Sequence, residues 1–136
     1  MHIIGIIAEY NPFHKGHLYQ INKIKEKYPN SLLVVVTSSS FTQRGDISLL
    51  NKWDKTKIAL ENNVDLVVEL PFVYSTQSSD LFAEGAISIL NTLKIDTLVF
   101  GTERDNISDL ELLADIQINN IEYQDKVKEY LSQGLN

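Results

Sequence analysis

A chain of 136 residues is long enough to bury a core of its own and short enough to suit one domain. It has no cysteine, which excludes disulfides and thiolate metal centres and fits a reducing compartment. Its 12 basic residues face 18 acidic ones, for a net charge of −6, so the phosphate-gripping surface of a nucleic-acid binder has to come from elsewhere.

The opening MHIIGIIAEYNPF carries no basic leader, and Glu9 interrupts its apolar run. No stretch reaches the length of a membrane span, so a cytoplasmic protein is expected. The first strand signal is HIIGIIA, residues 2–8, followed by Pro12, which biases Asn11 to an extended conformation and marks a loop. Leu18, Ile21, Ile24 and Tyr28 then form a helical stripe. A second β-branched run, SLLVVVT, spans 31–37, and a polar loop, SSSFTQRGDIS, follows at 38–48.

Leu50, Trp53, Lys57 and Leu60 suggest the next helix, with Trp53 and the phenylalanines expected in the core. Lys52, Lys55 and Lys57 read first as a solvated or snorkelling face. VDLVVEL at 64–70 is a third strand, with Glu69 near its end and Pro71 closing it. Ser79 or Asp80 is placed to cap a helix carrying Phe82, Gly85, Ala86, Ile89, Leu90 and Leu93. DTLVFG at 96–101 is a fourth strand. The tail reads as two helices over 106–117 and 121–136, the first opened by a capping box of Ser108 and Glu111.

Strand and helix alternate through residue 101, which predicts an α/β domain with a doubly wound parallel sheet. Residues 104–136 form a helical extension of that domain.

Two of the three histidines, His14 and His17, flank Gly16 where the first strand hands over to the first helix. Open α/β sheets bind ligands at that edge, and free first-turn amides attract anions there. Gly16 removes a side chain from the approach. Imidazoles three residues apart can reach one anion, donating hydrogen bonds or, if protonated, charge. The pattern suits phosphoryl or nucleotidyl chemistry. The competing readings are a pair of surface histidines and a metal site; His2 is the only further histidine, and no metal is expected.

NPFHKGHL resembles the H-x-G-H signature of the nucleotidyltransferase superfamily, which implies a Rossmann-like fold. EYNPFHKGHLYQ, SFTQRGD, NKWDKTKIALENNVDLVVELPFVYSTQSSDLFAEGAISILN and VFGTE, in that order, resemble the bacterial tRNA(Met) cytidine acetate ligase family. That resemblance implies ATP-dependent activation of acetate as acetyl-adenylate, then acetylation of N4 of the wobble cytidine of elongator tRNA(Met). It implies ATP, with Mg²⁺ accompanying it, and acetate and tRNA as partners.

The implied ATP segment is Ile7, Ala8, Glu9, Tyr10, Asn11, Pro12, Phe13, His14, Lys15, Gly16, His17, Leu18, Tyr19 and Gln20. His14 and His17 would lie on the phosphates and Gly101 against the nucleotide. Gln43 and Arg44 are candidates for phosphate or acyl contact, with Gly45 shaping their turn. For Lys52, Lys55 and Lys57, tRNA or phosphate contact is the alternative to a solvated face. Glu9 would orient substrate or metal–ATP, or serve structure alone. Arg44-Gly45-Asp46 spells an adhesion tripeptide, here a coincidence.

Ser39 departs from the glycine usual in that family. Family members also continue well beyond position 136, with later ATP contacts and the tRNA-binding region there. This chain alone is therefore expected to be weak or inactive. Two other readings remain open: a small-molecule adenylyltransferase or cytidylyltransferase, and a non-catalytic nucleotide-binding module.

Overall fold

The structure is a computed structural model that describes residues 1–102 and 106–134. Glu103, of the VFGTE motif, and the start of the expected extension at 104–105 lie outside the described residues, as do residues 135–136. The chain divides into two compact units, Met1–Gly101 and Thr102–Asn136.

The first unit runs β1 (Ile3–Ala8), α1 (Lys15–Lys27), β2 (Leu32–Thr37), α2 (Lys52–Glu61), β3 (Leu66–Glu69), α3 (Phe72–Ser75), α4 (Ser79–Thr92) and β4 (Thr97–Leu98). The strands form one parallel sheet in the order β3-β2-β1-β4. The unbroken apolar runs now have their reason, because both faces of the sheet are covered. Ile4, Ile6, Leu33 and Val35 pack on one face against Ile21 and Ile24 of α1 and Ala59 of α2. Val34 and Val36 pack on the other against Ala86 and Leu90 of α4, with Ile3 and Ile7 joining them. Successive residues of a strand point to opposite faces, so one apolar run feeds two cores.

The chain builds β1, β2 and β3 outward, then returns through α4 to lay β4 on the far side of β1. The carboxyl ends of β1 and β4 therefore flank the point where strand order reverses, the position at which such sheets open a crevice. β4 is shorter than expected: only Thr97 and Leu98 pair, opposite Ile4 and Gly5. At the opposite edge Asp65 and Asp96 each accept a backbone amide, from Leu33 at 2.7 Å and Ile3 at 2.8 Å.

Three expectations are corrected. The cap of α4 is Ser78, which accepts from the Leu81 amide, one residue before the positions expected. In the second unit Asn106 caps α5 (Ile107–Asn119), where Ser108 and Glu111 were expected to form a box. Most consequential is α2, whose buried residues are Lys55 and Ala59. Trp53 is 73% exposed, and Phe41, Phe72 and Phe100 are exposed as well, while Phe13 and Phe82 pack against the cores. Ala59 is small enough to let the helix lie close to the sheet, and Lys55 finds its partners beneath it.

The second unit is α5 followed by α6 (Ile121–Ser132), each capped by an asparagine side chain, Asn106 and Asn120. Neither helix has a buried residue.

Candidate functional site

His14 is the N-cap of α1, with extended backbone, and its Nδ1 accepts from the Gly16 amide at 3.1 Å. His17, three residues on, returns the favour: the His14 amide donates to its Nδ1 at 3.2 Å. Two histidines thus perform the reciprocal bonding that Ser and Glu perform in an ordinary capping box. Their rings stack with centroids 3.7 Å apart and 27° between planes.

A Nδ1 that accepts from an amide carries no proton, so the hydrogen of each capping ring is assigned to Nε2. Among the described residues neither Nε2 has a partner, so two N–H donors are presented outward. Burial, and then the neighbouring His14, hold the pKa of His17 below the ordinary histidine value. Of the two roles open to the imidazoles, this arrangement favours neutral donation over added charge, and of the first-turn amides it commits that of Gly16 to His14.

Gly16 leaves room for the capping ring of its neighbour. A Cβ there would lie 2.9 Å from His14 Cε1 and 3.1 Å from Nδ1, where the capping ring sits.

The loop before the helix is built with equal care. Tyr10 adopts a positive φ of 48° and is buried, its ring edge-on to Phe13 (5.0 Å) and His17 (4.8 Å). Its hydroxyl has no partner among the described residues, and burial pushes its pKa up to about 12. The Asn11–Pro12 bond is cis. Asn11 Oδ1 accepts from the Leu49 amide at 2.7 Å and from Ser48 Oγ at 3.2 Å.

Glu9 faces the interior of the loops. Its Oε1 accepts from the Gln43 amide at 2.6 Å and from Ser38 Oγ at 3.3 Å. Beneath it lies Lys55, 1% exposed, whose Nζ donates to the carbonyls of Ser38 at 2.7 Å and Glu9 at 3.3 Å. Burial lowers the pKa of Lys55, against the opposing pull of Glu9 and Glu69. A buried ammonium thus ties the ends of β1 and β2 together.

Residues 40–48 form a tight hairpin closed by a Phe41–Ile47 bridge, with Gly45 at a φ of 85°. Gln43 donates its side-chain amide to the Gln77 carbonyl, and Arg44 stands exposed at the tip.

Of the other candidates, Ile7 and Ala8 pack into the two cores, and Leu18 closes the first turn of α1 onto the His14 carbonyl at 3.2 Å. Pro12, Lys15 and Tyr19 are exposed and Gln20 half-buried. Gly101 lies three residues past β4, where a Cβ would meet no atom of the described residues within 4 Å. The described residues contain no group of three His, Cys, Asp or Glu placed to hold a metal, and no helix long and apolar enough to cross a membrane.

Sequence reading missed the burial of Lys55 and the packing of Tyr10 against His17. The Lys55–Ala59 spacing of four residues signals a face of α2, but lysine is not counted as apolar.

Fold and site together define an α/β domain of the kind that carries an H-x-G-H loop at the switch point of its sheet. The profile of the HIGH Nucleotidyl Transferase family matches residues 1–136, and the chain belongs to that family. It is 47% identical over 135 residues to the tRNA(Met) cytidine acetate ligase of Caldicellulosiruptor saccharolyticus, covering 98% of this chain and 34% of the relative. It is 42% identical to that of Fusobacterium nucleatum, covering 97% and 33%. The crystal structure of Thermotoga maritima TmcAL bound with alpha-thio ATP superposes with a TM-score of 0.85 at 37% identity, over 100% of this chain and 34% of that one. The chain spans about a third of the length of these relatives.

Proposed function

We propose that this chain is the ATP-binding and adenylating part of a tRNA(Met) cytidine acetate ligase. The observation that carries the reading is the mutual cap of His14 and His17, which holds two neutral Nε2–H donors at the switch-point edge of the sheet. Relatives with that name, 42% and 47% identical, and a 37% identical structure that holds an ATP analogue support it.

In this reading the phosphates of ATP accept from the two imidazoles, and the segment from Ile7 to Gln20 surrounds the nucleotide. A glycine beyond the carboxyl end of β4 admits a ligand to the backbone, which supports a place for Gly101 beside the nucleotide. Acetate attacks the α-phosphorus in line and pyrophosphate leaves; donors fixed in advance stabilise the charge that develops on the transferring group. The N4 amine of the wobble cytidine then attacks the acetyl carbonyl and AMP departs. Mg²⁺ bound to ATP would supply neutralisation of the phosphate charge, and the described residues offer no group of three carboxylate or imidazole ligands to hold it apart from the nucleotide. Gln43 and Arg44 stand as candidate contacts, whereas Glu9 serves the loop. The net charge of −6 leaves most tRNA phosphate contacts to residues outside this chain, and tRNA as substrate places the reaction in the cytoplasm.

The test is acetate-dependent exchange of labelled pyrophosphate into ATP by the complete protein. Exchange that requires acetate and falls with His14→Ala supports the reading. Exchange that ignores acetate but follows another small acceptor indicates a small-molecule nucleotidyltransferase.

A further inference from the structure

A cleft of about 190 Å³ opens at the carboxyl ends of β2 and β3, bounded by Ser39, Lys52, Trp53, Thr56, Val67 and Glu69. It lies on the sheet edge that also carries the histidine loop. Ala8, Thr37 and Glu69 occupy one row across β1, β2 and β3, and neighbouring strands stand about 4.8 Å apart.

Its chemistry does not favour a small ion: Lys52 Nζ bonds Glu69 Oε2 at 2.8 Å, so an ion of either sign would have to displace an existing partner. What the pair offers is an acceptor beside a donor. The remaining walls include Val67 and the indole of Trp53, which is 73% exposed and over which Lys52 Nζ sits 5.3 Å from the centroid. An apolar slot with an aromatic wall and a donor–acceptor edge fits a planar, uncharged heterocycle.

Cytosine matches the edge. Its N4 amine donates to a carboxylate, while N3 and O2 accept from an ammonium. Uracil places its only Watson–Crick donor between two carbonyls, which a carboxylate oxygen would meet unfavourably. We propose that this cleft seats the unstacked acceptor cytosine of the RNA substrate, with Trp53 as the stacking wall and Glu69 and Lys52 reading the base edge. The assignment rests on the acetate ligase reading, which supplies the RNA acceptor. It also suits a chain of net charge −6, because base stacking and edge contacts need no phosphate clamp.

Trp53 is the only tryptophan, so its indole N–H is a single, unambiguous NMR resonance in the 136-residue chain. Cytidine is the probe, since it carries no phosphate. Cytidine should shift that resonance saturably, with uridine binding about tenfold more weakly, the worth of one good hydrogen bond to a charged group. Glu69→Gln should erase the preference. Trp53→Leu, followed on the Val67 methyls, should weaken cytidine about tenfold or more. An indole unmoved by cytidine, moved equally by uridine, or moved by sodium acetate overturns the assignment. ATP added to the same samples is read on the His14 and His17 rings. Histidines that respond while the indole stays silent sink the cleft alone; histidines that ignore ATP sink the adenylation reading.

Discussion

Gly16 owes its identity to His14: a Cβ at position 16 would sit 2.9 Å from the capping imidazole. Alanine is otherwise the better helix former, by up to about 1 kcal/mol. Gly16→Ala therefore separates the site from the fold. Displacing the ring costs a cap of about 1 kcal/mol, so the two terms nearly cancel. The expected outcome is a thermal midpoint close to wild type and an ATP affinity at least about tenfold weaker. Unchanged affinity would mean the His14 ring need not stay where the structure holds it.

His17 gives the fold a predictable acid limb. Its folded pKa lies below the ordinary 6.5, chiefly through burial. Between 6.5 and that depressed value the unfolded chain binds more protons, so stability rises with pH there and is lost as pH falls. Glutamine at 17 can still accept from the His14 amide but does not titrate. Denaturation midpoints of wild type and His17→Gln should diverge progressively below about pH 6.5 and run parallel above it.

Lys55 should prove structural and its removal costly. Lys55→Met keeps the stem but leaves the carbonyls of Ser38 and Glu9 to share the single Thr37 hydroxyl proton, so one of them is left unpaired. Each buried carbonyl left unpaired costs about 1–3 kcal/mol, while deleting a buried charge recovers part of it. A net loss of about 1–3 kcal/mol in urea denaturation is expected. A variant more stable than wild type would show that desolvation of the ammonium outweighs its two bonds.

Glu9 should control the hairpin rather than the reaction. Glu9→Ala removes the acceptor of the Gln43 amide, a 2.6 Å bond to a charged group worth about 1.5–3 kcal/mol. Hydrogen exchange at the Gln43 amide should accelerate by about ten- to hundredfold, with the α1 amides little changed. Equal acceleration in both places would assign Glu9 to the whole sheet edge.

How legible these features were depended on what each residue is paired with. The four strands and the α1 and α4 faces follow from apolar period, because Ile21, Ile24, Ala86 and Leu90 are apolar residues buried in the two cores. The α2 face was misread because its central residue is a lysine satisfied by two carbonyls from distant loops, a pairing no local pattern contains. The histidine pair was legible as two imidazoles at the strand-to-helix junction, whereas their mutual cap was not. That both Nδ1 atoms serve as caps depends on the ring rotations, and the spacing of three permits other arrangements. The Lys52–Glu69 edge joins residues 17 apart that meet only once β3 lies beside β2.

The most direct test is an equilibrium titration with ATP of the wild-type chain and of His14→Ala and His17→Ala, each first shown to be folded. If the two Nε2–H groups hold the phosphates, each substitution weakens ATP by about ten- to hundredfold, the worth of a charge-assisted hydrogen bond of about 1.5–3 kcal/mol. Equal binding of ATP by all three proteins would contradict it and remove the histidine pair from the nucleotide site.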